Sequence, residues 1–352
     1  MFFCAYLGCK EHELPWRETV RRHAAWLGLA AHLDSRPIAD GRVFTFGWVS
    51  VDSPQSGGLV RETEEHLTLT TLPVLAPPHG PFSVPRHFET NAIRLEVSLA
   101  DGEVRAAVPL VTTEQLYHAA DARGHVFSDD MRLMVRWAGL ELDERAVIAL
   151  FQYHRIPAPL TISKRVSRIP NGYMVHTQPG NSKPVLEAAF SGLQAQEIVQ
   201  RPIEGDPVER LRESMDAVLE QVPRSSVVFF SAGVDSGLLA ARFAALGRKD
   251  VTLLHFSQGA EDQDTPLASE MAAHLGMQFE RVALNSSAIP AILESLAEEY
   301  TFPYSDPATP LMMALVGALP ARPGWMPAAL TGDGTGMVFG SRGAYRKWTP
   351  IY

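Results

Sequence analysis

From Glu204 onward, short apolar runs alternate with longer segments of helical period, and this alternation constrains the fold more than any other feature. The apolar runs are "SVVFF" (Ser226–Phe230), "DVTLLHF" (Asp250–Phe256), "FERVAL" (Phe279–Leu284) and "AALTG" (Ala328–Gly332). Between them lie "GLLAARFAALG", "TPLASEMAAHLG" and "IPAILESLAEEY". Runs this short read as buried strands, and the segments between them as helices. In "TPLASEMAAHLG", Leu267, Met271 and Leu275 recur at i, i+4 and i+8, and Gly276 ends the pattern. Strands alternating with helices predict an α/β domain built on a doubly wound parallel sheet. Its start is marked by "IEGDPVERLRESMDAVLEQV". There Asp206 can cap, Pro207 suits the first turn, and Glu209 stands three residues past the cap. Val208, Leu211, Met215, Val218 and Val222 then share one helical face.

The preceding part of the chain has a different texture. "RVFTFGWVSV", "HLTLTTLPVL" and "IRLEVSL" alternate or run apolar over a few residues, and "VLAPPHGPFSVP" is broken by Pro and Gly. These cues predict a β-rich, antiparallel α+β domain. "DERAVIALFQYH" interrupts them as a helix over Asp143–His154, with Asp143 as its cap. The expected domains are therefore 1–203 and 204–352, in keeping with a length of 352 residues.

Composition excludes several classes. A net charge of −9 argues against a general nucleic-acid footprint. The only cysteines are Cys4 and Cys9, so neither a disulfide scaffold nor a thiolate zinc site has support. The twelve histidines show no metal-binding spacing. No apolar run approaches the ~20 residues that span a bilayer. "MFFCAYLGCKEHELP" lacks the basic start and cleavage pattern of a leader. A cytoplasmic protein without a membrane or nucleic-acid partner is expected.

In a doubly wound sheet, ligands sit beyond the carboxyl ends of the strands. Ser231-Ala232-Gly233-Val234-Asp235-Ser236 occupies such a place, after one strand and before a helix. Its small residues let backbone N–H groups approach an anion, and the helix dipole favours negative charge there. Ser231 and Ser236 can donate to phosphate. Asp235 cannot meet phosphate directly, since both are anionic, but Mg²⁺ can bridge them. The loop is neither a Walker loop nor a dinucleotide turn. A tight turn with Asp235 or Ser236 as helix N-cap accounts for the same residues. A second Gly-rich loop with an acidic residue, "LTGDGTGMVFG", follows the last strand and carries Asp333.

These segments together resemble the asparagine synthase family of ATP pyrophosphatases. "FFSAGVDSGLLA" is similar to its Ser-Gly-Gly-x-Asp-Ser pyrophosphate loop, and "LTGDGTGMVFG" to its Ser-Gly-Asp-Gly-Gly-Asp-Glu-Leu-Phe-Gly motif. "FPYSDPATPLMMAL" resembles its Pro-x-x-Asp-Pro segment, and the stretch from "LYHAADARGHVFSDD" to "NGYMV" the end of its N-terminal domain. The resemblance spans roughly Leu116 to Phe339. It implies an adenine nucleotide alpha hydrolase-like C-terminal domain and a degenerate Ntn glutamine amidotransferase-like N-terminal domain. The implied reaction uses ATP and Mg²⁺ to adenylate a substrate carboxylate, which an amine then attacks. By resemblance, Ser231, Gly233, Val234, Asp235 and Ser236 hold pyrophosphate and Mg²⁺. Phe230, Phe256 and Ser257 flank the adenosine, Thr331 and Gly332 touch the nucleotide from the second loop, and Asp235 and Asp333 carry the metal.

The sequence departs from the family at three points. The chain begins Met-Phe-Phe-Cys, so Cys4 is not a terminal nucleophile, and the glutamine-binding Tyr-Asn-Gly-Glu segment is missing. Glutaminase activity is not expected, and Cys4 reads as a small buried residue. This is the condition of the lasso-peptide macrolactam and β-lactam synthetases, whose substrates supply their own amine. Gly336 stands where the family has its second Mg²⁺-binding Asp, and Met337 where it has Glu. The sequence reaches Tyr352 soon afterwards, where the family continues into helices carrying a base and a lysine. Arg342, Arg346 and Lys347 are either late cations near phosphate or a solvated tail. Two readings follow: an amide-forming synthetase without glutaminase activity, or an impaired nucleotide-binding accessory subunit. A homodimer or a partner protein is compatible with both. A tRNA-modifying pyrophosphatase is disfavoured by the acidic charge and the β-rich first domain.

Overall fold

The computed structural model describes residues 2–50, 58–71, 92–109, 112, 114–177, 184–188, 205–257, 259, 262–283, 286–299, 303, 308–317, 319 and 328–332. The chain divides into two compact units, Met1–Pro202 with Tyr300–Ser305, and Ile203–Glu299 with Asp306–Tyr352.

In chain order the first unit contains β1 (Phe2–Cys9), α1 (Glu13–Trp26), β2 (Ala30–Ile38), β3 (Arg42–Ser50), β4 (Gly58–Glu62), β5 (His66–Thr71), β6 (Arg94–Ser98) and β7 (Val104–Val108). It continues with β8 (Tyr117–Asp121), β9 (Gly124–Ser128), α2 (Met131–Ala138), α3 (Glu144–Tyr153), β10 (Ser167–Arg168), β11 (Tyr173–Thr177) and β12 (Val185–Ala188). The strands form two six-stranded sheets, ordered β10-β8-β9-β1-β3-β2 and β12-β11-β7-β6-β5-β4. The strand pairs within both are antiparallel, as the alternating patterns predict.

Side-chain period explains the layering. Successive residues of a strand face opposite sides, and β1 is apolar on both. Phe3, Ala5 and Leu7 join Phe44, Phe46 and Trp48 of β3 in a core shared with Leu67, Leu95, Val104 and Val175 of the second sheet. Phe2, Cys4 and Tyr6 face the other way, onto Trp16 and Val20 of α1 and Leu133, Met134 and Trp137 of α2. β5 and β6 alternate buried with half-buried residues, as strands with one core face do. Asp143 caps α3 by accepting from Arg145 N–H, as the sequence predicts, and the Asp130 carboxylate also caps α2 by accepting from Arg132 and Leu133 N–H.

The second unit contains α4 (Pro207–Leu219), β13 (Val227–Phe229), α5 (Val234–Ala245), β14 (Thr252–Ser257), α6 (Asp264–Leu275), β15 (Gln278–Ala283), α7 (Ile289–Glu299), α8 (Thr309–Gly317) and β16 (Ala329–Leu330). Its four-stranded sheet is parallel, in the order β15-β14-β13-β16. Val227, Phe229 and Leu254 pack with Leu315 of α8 in one core. Asp206 caps α4 by accepting from Val208 N–H, with Pro207 at its start. Gly276 takes the left-handed conformation (φ 64°) that ends α6.

Two expected helix faces differ from the observed ones. Val208 is 60% exposed and Leu211 is exposed too; α4 buries its C-terminal end, at Leu219, followed by Val222. α6 buries Ala268 and Ala272 rather than Leu267, which is exposed. The small side chains let this helix lie close to the sheet, while Leu267 turns outward and Met271 packs against Gly237 of α5. No helix among the described residues is long and apolar enough to cross a membrane.

Candidate functional site

Strand order locates the site. The path β13–α5–β14–α6–β15 steps in one direction, while β16 lies on the other side of β13. The order therefore reverses between β13 and β16, and such a reversal opens a crevice at the strand carboxyl ends. Both loops singled out in the sequence begin there: Ser231–Gly233 after β13, and Thr331–Gly332 after β16.

The two loops touch. A Cβ built on Gly332 would stand 2.8 Å from Asp235 Cβ and 2.9 Å from Ser236 N. No larger residue fits without displacing the start of α5. Register explains the closeness, since β16 pairs directly with β13 through Val228↔Leu330.

The loop's own hydrogen bonds shape it. Ser236 is 4% exposed, and its hydroxyl accepts from Ser231 N–H (3.2 Å) and lies 3.2 Å from Ser231 Oγ. Gly233 N–H donates to Ser231 Oγ (3.3 Å). Ala232 takes a left-handed conformation, φ 58°, where the similar family motif has Gly. That conformation costs an L-residue about 1–2 kcal/mol. It turns the chain so that Ser231, Gly233, Val234 and Asp235 are exposed around the helix start.

α5 begins at Val234 with Gly233 as its N-cap, and no side chain caps it. Asp235 and Ser236 are therefore first-turn residues, which corrects the reading that either is the cap. The first-turn N–H groups have no partner within the helix, and the helix dipole is positive there. Asp235 is exposed in that turn.

The remaining expected residues divide. Phe230 is 2% exposed, its N–H donates to Leu254 O (2.9 Å), and its carbonyl accepts from the His255 ring. Its ring is buried among the core residues. Phe256 is partly buried against the β13–α8 core, and Ser257 is buried with its hydroxyl 3.4 Å from Gly259 O. Asp333, Gly336, Arg342, Arg346 and Lys347 lie outside the described residues. Among the described residues no three His, Cys, Asp or Glu side chains stand together as a metal site. Sequence reasoning missed His255, Asp262 and Thr265. The available signal was a histidine inside the otherwise apolar run "TLLHF".

In the first unit, Cys4 is fully buried and its thiol lies 3.8 Å from Gly47 O. Burial, with the charges of Asp129 and Asp130, pushes the thiol far above its ordinary range. It is held as the unreactive thiol, and the reading of Cys4 as a small buried residue stands.

Comparison with known proteins agrees with the second unit. Residues 208–350, less than half of the chain, match the family described as Asparagine synthase. No curated protein matches the sequence. Among solved structures, the chain is similar to the NH3-dependent NAD synthetase from Campylobacter jejuni in complex with the nitrate ion. The identity is 18% over 30% of this chain and 44% of that one, with a TM-score of 0.23. It is also similar to the glutamine phosphoribosylpyrophosphate amidotransferase from B. subtilis complexed with ADP and GMP. There the identity is 9%, over 88% of this chain and 95% of that one, with a TM-score of 0.35. At these scores the fold assignment rests on the strand order and pairing above.

Proposed function

We propose that the second unit is an ATP-dependent amide-forming synthetase of the asparagine synthase type, acting without glutaminase chemistry. The observation that carries this reading is the uncapped start of α5, with Asp235 exposed in its first turn and Gly332 packed against it at the sheet's switch point. The residues present fit a nucleotide. Exposed Ser231 and Gly233 leave room for phosphate, and the first-turn N–H groups supply donors. Mg²⁺ suits one or two carboxylates completed by phosphate oxygens rather than an all-protein cage, and Asp235 offers one such carboxylate.

ATP, when bound, supplies the leaving group that activates a carboxylate. A carboxylate oxygen of the substrate attacks the α-phosphorus, and the bond to pyrophosphate breaks. An amine nitrogen then attacks the acyl carbon, and AMP and a proton leave. In this scheme the α5 N–H groups and the Ser231 hydroxyl would hold the departing pyrophosphate, and Asp235 would hold Mg²⁺, which would supply charge neutralisation there. Ser236 maintains the loop from inside, while Thr331 and Gly332 border the nucleotide from β16. The phosphoryl chemistry needs positioning and charge neutralisation more than a protein nucleophile. The buried Cys4 thiol supports an amine supplied by the substrate itself, as in macrolactam or β-lactam closure.

The test is pyrophosphate release from ATP–Mg²⁺ with candidate amino-acid and peptide carboxylates, comparing the wild type with Asp235→Ala. Substrate-dependent release that falls at least ~100-fold in the variant is expected from loss of a metal-holding carboxylate. Release unchanged by Asp235→Ala would overturn the assignment. Nucleotide binding without any release would favour the accessory-subunit reading.

A further inference from the structure

His255 lies in β14 with 2% of its surface exposed, in a strand whose neighbours are apolar. A buried imidazole is unfavourable unless both nitrogens find partners, and here both do. Nδ1 stands 2.7 Å from the carbonyl oxygen of Phe230, and Nε2 stands 3.0 Å from Thr265 Oγ1. A carbonyl only accepts, so Nδ1 carries the hydrogen. Thr265 Oγ1 lies between Nε2 and Asp262 Oδ2 (2.8 Å), its one hydrogen serving one of the two at a time, and Asp262 Oδ1 accepts from Asp264 N–H (2.9 Å) at the start of α6. The ring also stacks on Phe279 of β15, with centroids 5.8 Å apart.

The bond to Phe230 acts on one particular peptide group. The Phe230 carbonyl and the Ser231 N–H belong to the same rigid plane. His255 holds the oxygen and Ser236 Oγ holds the N–H (3.2 Å). With both polar ends fixed, the plane cannot rotate, and the left-handed turn at Ala232 follows from a set direction. The same imidazole ties this loop to the loop after β14, at the same end of the sheet.

We infer that His255 is a positioning residue for the phosphate loop. It fixes the Phe230–Ser231 peptide plane and anchors it, through Thr265 and Asp262, to the start of α6. The inference rests on the nucleotide reading above and assigns no contact between His255 and nucleotide. It explains why a polar ring occupies a place in the strand that Leu or Val would fill.

Binding of ATP–Mg²⁺ to the full chain, with melting temperatures measured alongside, tests it. His255→Leu removes both bonds and is expected to weaken ATP binding at least ~10-fold, or 1.4 kcal/mol. His255→Asn keeps an N–H near the Nδ1 position and should restore affinity to within ~3-fold of wild type, the lesser cost of losing only the Thr265 link. Thr265→Val should cost a similar ~3-fold. Val251→Ala, buried just before β14 at the opposite end of the sheet, should lower the melting temperature and leave ATP affinity unchanged. Should His255→Leu fail to fold, His255→Asn and Thr265→Val decide the matter. Wild-type affinity in His255→Leu, or a loss of ~10-fold or more in His255→Asn despite its retained N–H, would overturn the positioning role while leaving the nucleotide site intact. A loss of affinity in Val251→Ala equal to that in His255→Leu would reduce the effect to stability and also overturn it. Absence of ATP binding by the wild type would overturn the nucleotide reading itself, and the inference with it.

Discussion

Cys4 and Cys9 lie in one strand, β1, yet one is fully buried and the other exposed. Burial and nearby carboxylates keep Cys4 protonated, whereas Cys9 meets solvent. An aromatic disulfide reagent at pH 8 should therefore modify one thiol per native chain, and the second only after unfolding. Two fast thiols in the native protein would contradict the burial of Cys4 and reopen a nucleophilic role. The buried state of Cys4 was legible in the sequence, because "FFCAYL" is apolar at every position and a strand apolar on both faces must lie between layers. His255 was not. Its partners Phe230 and Thr265 stand 25 and 10 residues away, on other elements, and a lone histidine carries no spacing that announces them. The burial of Phe230 was illegible for a related reason. A residue at the end of a strand can point its ring into the core or toward the ligand, and only the packing decides.

At the scale of elements, the site is a junction of β13, α5 and β16. Its tightest point is Gly332 against Asp235 and Ser236. Gly332→Ala places a methyl group where 2.8 Å separates it from Asp235 Cβ and 2.9 Å from Ser236 N. Neither neighbour is the free end of a flexible side chain, so the β16 loop must move. Nucleotide affinity should fall about 10-fold or more, since each 1.4 kcal/mol of misfit is tenfold, with the fold retained by circular dichroism. Unchanged affinity would show that the two loops do not act together. Helix ends were legible because caps are local: Asp143, Asp206 and Gly276 act within three or four residues of themselves. Helix faces were less so. Which side of α4 or α6 is buried depends on what packs there, and small Ala268 and Ala272 won over larger Leu267 because they permit close approach to the sheet. The start of α5 stands apart, since its cap is Gly233 and no side chain satisfies the first turn. An element end left without a local partner is where a ligand's oxygens find donors.

For the whole molecule, the alternation of strands and helices after Glu204 and the period-two patterns before it were enough to separate a parallel from an antiparallel unit. They could not supply strand order. β1 lies between β9 and β3, and its pairing with β9 joins residues more than a hundred positions apart, such as Cys4 with Ser128. The reversal between β13 and β16 joins segments just as distant, Val228 with Leu330, and it is that reversal which turns two suggestive loops into one crevice. In the proposed function this crevice holds ATP through Mg²⁺ at Asp235. Its most direct test is equilibrium binding of ATP to the full chain with and without Mg²⁺, for the wild type and Asp235→Ala. Saturable binding that Mg²⁺ strengthens at least ~10-fold in the wild type, and no longer strengthens in the variant, is the predicted result. Binding that is absent, or equally Mg²⁺-dependent in both proteins, would contradict it.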